Sequence, residues 1–498
     1  MFSSIAVLIF AFLAALWFIW SFKPKPGQNG LHLPPGPWGY PILGHLPFLG
    51  EFPHRTLQSM AKTYGSIMYI RLGQVPTIVA SSPEFAELFF KTHDLAFADR
   101  PNLEASKYMG YGRKGLIFAP YGSYWRNVRK ICTLELLSNS KIDMFRPSRK
   151  KEIVEFIEKI KIAAETESEI DITAMVGSLV ENMTYLMLFG FKDDRFNLKS
   201  SIHEVVSLTG VFNIADYIPF LKQFDFQGCR DRMRNVSKTI DDFLEMIIDE
   251  HEQDANSLQG KHRDFIDVLL SLMDSDHTRE GFLDRDSIKA ILLDLLCAGM
   301  DTSVTTIEWT IAELLKHPRV MELVQEELKT VVGLDRIVEE ADLVNLKYLK
   351  MVVKESMRLH PVVPLIVHQS MEDVSIQRYF IPKKSRIMLN LWAVGRDPNV
   401  WSSNAQEFYP ERFVGGAIDL QGQDFQLLPF GSGRRKCAGL QLGLTVVEFI
   451  VAQLVHCFNL KLPHGILHSD LDMNEKFGLT LPRANHVVAI PTYRLVTK

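Results

Sequence analysis

The sequence predicts a mainly α protein with a small β-rich lobe and a membrane-spanning segment at its N-terminus. Apolar residues recur at three- and four-residue spacing over 152–164 and 237–250, with charged residues between them, which is the periodicity of amphipathic helices. Short apolar runs rich in β-formers at 67–72 and 77–80 predict a small sheet near the N-terminus. Residues 4–22 are mostly apolar, and no charged side chain precedes Lys23.

The composition indicates one large intracellular domain and gives no footprint for nucleic acid. The formal charge is -4 over 498 residues and 47% of the residues are hydrophobic, so the chain can build a large core and has no basic surplus. No repeat, low-complexity tract or long Pro/Gly/Ser linker divides the chain after residue 40. The 5 cysteines are odd in number and scattered, which favours a reducing compartment.

The N-terminal segment is long enough to cross a bilayer as one helix, which takes about 20 apolar residues. Trp17 and Trp20 would lie near one interface, and Lys23 and Lys25 follow directly. Since positive residues prefer the cytosolic side, we expect the N-terminus in the lumen and the rest of the chain in the cytosol. A cleaved signal peptide is the alternative, but no positive residue precedes the apolar core and no small-x-small site follows it.

A proline-rich stretch follows the anchor. Residues 31–38 read Leu-His-Leu-Pro-Pro-Gly-Pro-Trp, and prolines fix φ and keep their predecessors extended, so this stretch predicts a stiff spacer. We therefore divide the chain into a transmembrane anchor at 1–22, a proline-rich hinge at 23–40 and a globular domain at 41–498.

The loop at 430–439 reads Phe-Gly-Ser-Gly-Arg-Arg-Lys-Cys-Ala-Gly and surrounds Cys437 with glycines and cations. Glycines let a backbone turn with positive φ or approach a flat group closely. Cations lower the pKa of a thiol, so the loop predicts a thiolate, the form that binds metal. One thiolate without other Cys or His ligands nearby favours haem iron over a soft-metal site. A plain surface turn is the alternative.

This loop resembles the haem-binding signature of the cytochrome P450 family, in which Phe430, Gly433, Arg435, Cys437 and Gly439 occupy every characteristic position. The resemblance implies that Cys437 is the proximal ligand of the iron of haem b and that Arg435 faces a haem propionate. It also implies the haem-thiolate fold of that family, in which 41–498 is the catalytic domain and the proline-rich hinge orients it against the membrane.

Two further segments are expected beside the haem. Trp125 and Arg129 stand at i and i+4 of a predicted helix and so share one face. Packing plus a solvated charge is the ordinary interpretation, but the resemblance implies that this pair holds a propionate. It also implies that His368 donates to a propionate, although Val367 stands where many plant relatives have proline. A polar group near the surface is the alternative for His368.

A long apolar pattern at 288–315 is interrupted at 298–303, which reads Ala-Gly-Met-Asp-Thr-Ser. Gly299 costs a helix interior about 1 kcal/mol against Ala, and Thr302 can bond back to the carbonyl four residues earlier. Such a helix suits a reactive site better than a core. The resemblance places it across the distal haem face, where Ala298 and Gly299 leave room for dioxygen and Asp301 and Thr302 deliver protons while the O–O bond breaks. A kinked structural helix is the alternative.

Three charged residues are predicted to have a structural role. Glu355 and Arg358 stand at i and i+3, where they would ordinarily form a surface pair. The resemblance implies a buried trio with Arg412, which lies in a Pro-Glu-Arg-Phe segment at 410–413. Asp294, one turn before Ala298, is interpreted as structural or solvated.

The resemblance brings together a substrate pocket whose candidate residues are all apolar. An uncompensated buried charge costs several kcal/mol or more, so we expect a neutral, lipophilic substrate. The segment 212–226 is placed at the substrate-entry edge, in contact with membrane lipid, with a buried loop as the alternative. The candidate pocket residues are Phe118, Phe212, Leu295, Ala298, Val363, Leu365 and Leu479.

The motifs occur across the chain in the order found in the cytochrome P450 family, and their residues are similar to those of plant A-type microsomal members. The resemblance implies a monooxygenase of the endoplasmic reticulum membrane, single-pass and facing the cytosol, that oxidises a plant specialised metabolite with O2. Electrons would come from NADPH through a membrane-bound cytochrome P450 reductase. A sesquiterpene-like terpenoid is favoured and a neutral aromatic phenolic comes second. An isomerase or dehydratase of the same fold and a non-catalytic haem sensor are the alternatives, and Asp301 with Thr302 argues against both.

Overall fold

The computed structural model describes residues 31–192, 198–254, 263–274, 283–416 and 418–496. The predicted anchor at 1–22 lies outside these residues, as does 23–30 of the hinge. The described part is mostly helical. Its helices are α1 (Pro53–Tyr64), α2 (Pro83–Glu87), α3 (Glu104–Tyr108), α4 (Ser123–Ile131), α5 (Asn139–Met144), α6 (Arg146–Glu165), α7 (Ile172–Phe189), α8 (Leu198–Gly210), α9 (Cys229–Asp254), α10 (Phe265–Asp274), α11 (Arg285–Lys316), α12 (Pro318–Val332), α13 (Lys347–Leu359), α14 (Leu391–Val394), α15 (Pro398–Trp401) and α16 (Leu440–Cys457).

The described strands form three small sheets. The largest has the order β1-β2-β7-β4, in which β1 and β2 form an antiparallel pair, β2 runs parallel to β7, and β7 is antiparallel to β4. This sheet therefore joins an N-terminal hairpin to strands from much later in the chain. The strands are β1 (Ile67–Leu72), β2 (Val75–Ala80), β3 (Ile170–Asp171), β4 (Leu365–Gln369), β5 (Val374–Ile376), β6 (Tyr379–Ile381), β7 (Arg386–Asn390), β8 (Phe458–Lys461) and β9 (Val488–Tyr493).

The predicted elements occur where the patterns indicated them. The run at 67–72 is β1 and that at 77–80 lies in β2, while the helical patterns at 152–164, 237–250 and 288–315 lie in α6, α9 and α11. The fold is thus mainly α with a small β-rich lobe, as the sequence predicts. Helix α11 is continuous despite its Gly and Thr, and Asp284 caps its start by accepting the N–H of Ser287 at 2.9 Å.

Three helices, α7, α11 and α16, are long and apolar enough to cross a membrane by length and composition. In this fold they form the interior. Leu179 of α7, Ile307 of α11 and Ile450 of α16 belong to one core cluster and are 4%, 0% and 0% exposed. Their apolar surfaces are therefore buried against the rest of the domain, as in a large protein core.

The described part of the proline-rich hinge contacts β1 of the largest sheet and β6 of the two-stranded sheet. The carbonyl of Pro35 accepts the N–H of Tyr69 at 2.8 Å, and His32 forms a β-bridge with Tyr379. A Cβ on Gly36 would lie 1.9 Å from the carbonyl oxygen of Tyr69, so only glycine allows this approach.

The segment 212–226 is partly buried and partly exposed. It contains two 3₁₀ turns, Ile214–Asp216 and Pro219–Phe224. Ile218 is fully buried, whereas Phe220, Phe224 and Phe226 are 51%, 57% and 67% exposed. The segment therefore presents aromatic side chains outward beside a packed inner end.

Candidate active site

A cavity of about 550 Å³ lies between helix α11, strand β4 and the loop that carries Cys437. It brings together residues that are far apart in the sequence. Gly433 and Asp301 are the two predicted haem-site residues that do not line it. The predicted residues that do are Phe118, Trp125, Arg129, Phe212, Leu295, Ala298, Thr302, Val363, Leu365, His368, Phe430, Arg435, Cys437, Gly439 and Leu479.

Glycines and one backbone hydrogen bond shape the cysteine loop. The N–H of Cys437 donates to the carbonyl of Phe430 at 2.9 Å, and Gly433 has φ 66°. A Cβ on Gly433 would lie 2.4 Å from Oδ1 of Asp94 and 2.5 Å from the carbonyl of Phe90. The loop therefore needs glycine at 433 both for its backbone conformation and for space. An added Cβ on Gly439 would meet nothing within 4 Å, so that side of the loop is open.

The arginines beside Cys437 do not act on its thiol as predicted. Nε of Arg434 pairs with Oδ2 of Asp94 at 3.1 Å. Arg435 donates to the carbonyls of Ala98 and Ala119 at 2.8 and 2.6 Å. Both guanidinium groups are thus engaged elsewhere.

Burial raises the pKa of the Cys437 thiol above its usual range. A hydrogen bond from the N–H of Gly439 and the charges of Arg129 and Lys436 lower this pKa by less. The prediction that neighbouring cations lower the pKa overall is therefore wrong, because burial outweighs them. Cys437 is nevertheless exposed to the cavity, and the Gly439 N–H favours its thiolate form.

A cluster of half-buried cations, which we call the cation cluster, lines the same cavity and consists of Arg100, Arg129 and Arg435. Burial lowers the pKa of Arg100 to about 10. Burial and the charge of Arg100 lower the pKa of Arg435 to about 9. Asp99 is the acid whose charge opposes both shifts, and its Oδ1 already accepts the N–H of Tyr121 at 2.9 Å. The cluster therefore has more positive than negative charge.

Two of these cations have unused hydrogen-bonding capacity. Nε of Arg100 is buried and has no hydrogen-bond partner among the described residues, while its Nη1 donates to the carbonyl of Val367. Arg129 makes no side-chain hydrogen bond to the residues that the structure describes, and burial lowers its pKa. Arginine forks suit carboxylates, and buried charge needs a partner. The cluster and the open thiol of Cys437 therefore fit haem b, whose two propionates supply negative charge.

Trp125 has a different contact from the predicted one. Its indole N–H donates to the carbonyl of Leu116 at 2.9 Å, and the guanidinium of Arg435 lies over its ring at 4.2 Å. Trp125 thus supports the Arg435 side chain by a cation–π contact. Of the predicted pair, Arg129 is therefore the residue that can still contact a propionate.

His368 is buried and engaged through Nδ1, which lies 2.8 Å from the carbonyl of Phe97. Burial lowers its pKa well below the usual value, and the charge of Arg100 lowers it further. A neutral ring that donates through Nδ1 has only an acceptor at Nε2. The predicted donation from His368 to a propionate therefore requires the imidazolium form, which this pKa disfavours.

On the distal side, Asp301 and Thr302 have separate partners. Oγ1 of Thr302 donates back to the carbonyl of Ala298 at 2.6 Å, as predicted for such a helix. Oδ2 of Asp301 accepts a hydrogen bond from Oγ1 of Thr480 at 2.5 Å. Asp301 is thus directed toward the turn at 477–482 and away from the cavity surface.

Asp294 holds a neighbouring loop against helix α11. Its Oδ2 accepts the N–H of Ile117 at 2.9 Å, and a Cβ on Gly115 would lie 2.2 Å from the same oxygen. Burial raises the pKa of Asp294 to about 7. Of the two interpretations left open for this residue, the structural one fits.

The predicted trio of Glu355, Arg358 and Arg412 comes together. Nε of Arg358 donates to Glu355 Oε2 at 2.7 Å, and Nε of Arg412 donates to Glu355 Oε1 at 2.9 Å. The side chains of Glu355 and Arg358 are both 0% exposed. Arg358 also donates to the carbonyls of Ala405 and Glu407 at 2.7 and 3.0 Å. The trio is thus a satisfied network that fixes the fold around α13.

The candidate pocket also contains polar residues that the sequence did not indicate. Arg386 of β7 lines the cavity, and its guanidinium lies 4.3 Å from the ring centroid of Tyr217. Asp216 lines the same end, and burial raises its pKa to about 6. The expectation of a pocket without Lys or Arg therefore fails at this end, although a carboxyl accompanies the cation. An arginine at the start of a buried strand and an acid in a loop gave no sequence signal that they would meet.

The family model described as Cytochrome P450 matches residues 34–489. Among curated proteins, Cytochrome P450 CYP736A12 of Panax ginseng is 53% identical over 495 residues, covering 98% of this chain and 99% of that protein. A Flavonoid 3'-monooxygenase of Arabidopsis thaliana is 42% identical over 504 residues, covering 99% and 97%.

A solved structure titled "Zebra fish cytochrome P450 another structure with Abiraterone" has the same fold. Its TM-score is 0.73 at 25% sequence identity, and the match covers 89% of this chain and 100% of that one. The similarity therefore extends over nearly the whole chain in both sequence and structure.

Proposed function

Because the chain belongs to the cytochrome P450 family, whose members are haem-dependent monooxygenases, we propose that it oxidises a small, neutral, lipophilic plant metabolite. Enzymes of this family use haem b and receive electrons from NADPH through a reductase. Haem b, when bound, supplies the oxidation chemistry with dioxygen. The residues of this chain hold it, select the substrate and deliver protons.

The observation that carries the proposal is the meeting of one open thiol and a surplus of arginines in a single cavity. We assign Cys437 as the iron ligand, stabilised as a thiolate by the N–H of Gly439. We assign Arg100, Arg129 and Arg435 to the two propionates. These roles use separate parts of the cavity wall and leave its distal part for substrate.

On the distal side, Asp301 and Thr302 are proposed to move protons. The two residues are neighbours in α11, and Thr302 lines the cavity. An acid behind an alcohol can pass protons inward without opening the pocket to bulk water. The apolar walls keep other water out.

The charge balance of the distal pocket supports a neutral substrate. Arg386 is the cation at its far end, and Asp216 accompanies it there. A carboxyl with a pKa of about 6 is mainly ionised at pH 7, so it offsets the charge of Arg386. This end can bind hydroxyl groups without requiring an anion.

Among neutral substrates, we favour an aromatic phenolic over the sesquiterpene-like compound that apolarity alone indicates. Phe212 and Phe477 line the cavity with their rings 6.3 Å apart and 20° from parallel, and Phe118 adds a third ring. Aromatic rings bind a flat ring with directional contacts that an aliphatic terpene cannot make. The flavonoid oxidation named for one relative agrees with this choice. The terpenoid is kept as the second candidate because the other walls are aliphatic.

We further propose that the enzyme is anchored in the endoplasmic reticulum membrane by residues 1–22, with its catalytic domain in the cytosol beside the reductase. The apolar, uncharged composition of this segment and the lysines after it support that topology. The exposed Phe220, Phe224 and Phe226 support additional lipid contact.

The experiment is a titration of the holoenzyme that follows the haem Soret band with three probes. Naringenin represents neutral phenolics, farnesol represents sesquiterpene alcohols and p-coumarate represents carboxylated phenolics. We expect naringenin to bind most tightly and to give the best coupling of NADPH to product when the reductase is added. If p-coumarate gave the tightest binding and the best coupling, the proposal of a neutral substrate would be contradicted. If farnesol did so, the order of the two substrate candidates would be reversed.

Phe212→Leu sharpens this experiment. Because an aromatic pair contributes about 0.5–1.5 kcal/mol beyond its buried area, we expect a roughly twofold to tenfold loss of naringenin affinity and little change for farnesol. The matched control is Phe226→Leu, since that ring is 67% exposed and lies outside the cavity lining. Equal losses for both probes would argue against ring stacking.

A further inference from the structure

The carboxyl of Asp301 is held by a residue that lies far away in the sequence. Oγ1 of Thr480 donates to Oδ2 of Asp301 at 2.5 Å, and Thr480 is only 6% exposed. Among the described residues, no other side chain is hydrogen-bonded to this carboxyl, because the hydroxyl of Thr302 is turned to the carbonyl of Ala298 at 2.6 Å. The orientation of Asp301 therefore depends on the turn at 477–482.

That turn is itself fixed from two sides. The indole N–H of Trp309, on the same helix as Asp301, donates to the carbonyl of Leu481 at 2.8 Å. The N–H of Leu481 donates to the carbonyl of Val362 at 2.8 Å. Since the residue directly after Thr480 is bonded in both directions, the hydroxyl of Thr480 is presented to α11 from a rigid backbone.

The same turn also reaches the substrate space. Leu479 and Thr480 line the cavity, and a Cβ on Gly210 would lie 2.1 Å from the backbone nitrogen of Leu479. The turn is thus in close contact with the end of α8, where any added side chain would displace it. Two consecutive residues thus connect the two regions, since Leu479 lines the cavity and Thr480 is hydrogen-bonded to Asp301.

We propose that Thr480 is a positioning residue that orients the carboxyl of Asp301 for proton delivery. Holding Oδ2 leaves Oδ1 to face a water or Thr302, and it stops the carboxyl from rotating on the helix. This inference rests on the proposed role of Asp301 in the reaction. A valine at this position has nearly the same shape but cannot donate, whereas a serine can.

The test compares Thr480→Val, Thr480→Ser and Asp301→Asn in the full-length holoenzyme with reductase and naringenin, or whichever of the three probes couples best. Product and hydrogen peroxide are measured per NADPH consumed, together with the solvent deuterium isotope effect on product formation. We expect Thr480→Val to raise the ratio of peroxide to product roughly threefold to tenfold, the factor that one hydrogen bond commonly carries. Thr480→Ser, which keeps the hydroxyl, should have the wild-type ratio of peroxide to product.

Two measurements separate positioning from packing. The reduced carbon-monoxide spectrum and the probe affinity from the Soret titration should stay at wild-type values in Thr480→Val. In the double variant, Thr480→Val should add nothing to the uncoupling of Asp301→Asn, because both act through one carboxyl. If Thr480→Val does not fold, Thr480→Ala takes its place in the same comparison.

The outcomes distinguish a failure of the proposed role of Thr480 from a failure of the proposed proton delivery by Asp301 and Thr302. Uncoupling in Asp301→Asn together with wild-type coupling in Thr480→Val overturns the role of Thr480 and leaves the relay standing. Additive effects in the double variant also overturn it, since the two residues would then act separately. Normal coupling in Asp301→Asn overturns the relay itself and the positioning role with it.

Discussion

Two groups of charged residues, the trio and the cation cluster, differ in how their charges are balanced. In the trio, the carboxylate of Glu355 accepts from Arg358 and Arg412, and carbonyls accept most of the remaining donors. In the cation cluster, Arg100, Arg129 and Arg435 lie close together, Asp99 is the acid beside them among the described residues, and Nε of Arg100 has no hydrogen-bond partner there. The trio is complete within the protein, whereas the cation cluster is complete only with an added anion.

A structural charge network carries its own opposite charges, whereas a binding site takes part of them from its ligand. Burying an unbalanced charge is costly, so a fold retains such a cluster where a ligand pays that cost. Lowered pKa values at Arg100 and Arg435 express the imbalance, since burial disfavours the charged form of both, and at Arg435 the charge of Arg100 adds to this effect. Each substitution below removes one charged side chain from such a group or from the core.

The largest effect is expected in the trio. Glu355→Gln removes the one carboxylate between two arginines, and breaking a buried pair in this way costs about 3–5 kcal/mol. We expect little folded protein, measured by urea unfolding and by the yield of haem-containing enzyme. The control is Glu87→Gln, whose pair with Lys91 is exposed on both sides and should change stability by less than about 1 kcal/mol. Equal stability of the two variants would show that the trio does not hold the fold.

A smaller and different effect is expected in the cation cluster. Arg129→Met removes a charge that has no hydrogen-bond or ion-pair partner in the described part of the chain, so the fold should keep its circular dichroism spectrum while haem is lost faster. A charge-assisted hydrogen bond contributes about 1.5–3 kcal/mol, so haem affinity should fall roughly tenfold to a hundredfold. The measurement is haem transfer to apomyoglobin. The matched control is Arg126→Met, on the exposed side of the same helix, and equal haem loss in both variants would contradict the assignment.

Per pH unit, the smallest effect is expected at Asp294, a buried acid that is balanced by backbone N–H groups in the described part of the chain. Its pKa is raised from 3.8 to about 7 in the fold. The stability that its protonated form contributes is therefore complete below pH 3.8 and is lost as the pH rises toward 7. Asp294→Asn should remove this loss, which is at most about 1.4 kcal/mol per pH unit.

The test for Asp294 is urea unfolding of both proteins at pH 5, 6, 7 and 8. The variant should gain stability over the wild type between pH 5 and 7, and the difference should level off above pH 7. Parallel stability curves across this range would show that Asp294 does not titrate as its burial predicts.

Local spacing explains which features could be predicted from the sequence. The cysteine loop, the helix with Asp301 and Thr302, and the pair of Glu355 and Arg358 are each contained within a few residues. Their chemistry is visible as a motif, and the elements that carry them occur at the predicted positions. The mainly α fold followed from helical periodicity in the same way.

Contacts between distant segments explain what could not be predicted. Arg100 reaches the cavity from a loop, Arg386 from strand β7 and Thr480 from a C-terminal turn. None of them has a neighbour in sequence that indicates its role. The predicted direction of the pKa shift of Cys437 was wrong for a related reason. Burial in the folded protein, and not the adjacent cations, sets the direction of that shift.

The reduced carbon-monoxide spectrum tests the assignment of Cys437 as the iron ligand, on which the proposed function depends most directly. Cys437→Ala should lose the red-shifted band that a thiolate ligand gives, because Cys132 and Cys297, the other described cysteines that line the cavity, are less exposed than Cys437 and burial strongly raises the pKa of their thiols. Cys457→Ala is the control, since that cysteine is 0% exposed in the core and burial raises its pKa to about 12. We expect a normal band in Cys457→Ala and none in Cys437→Ala, and a band that survives in Cys437→Ala would contradict the assignment of Cys437 as the iron ligand.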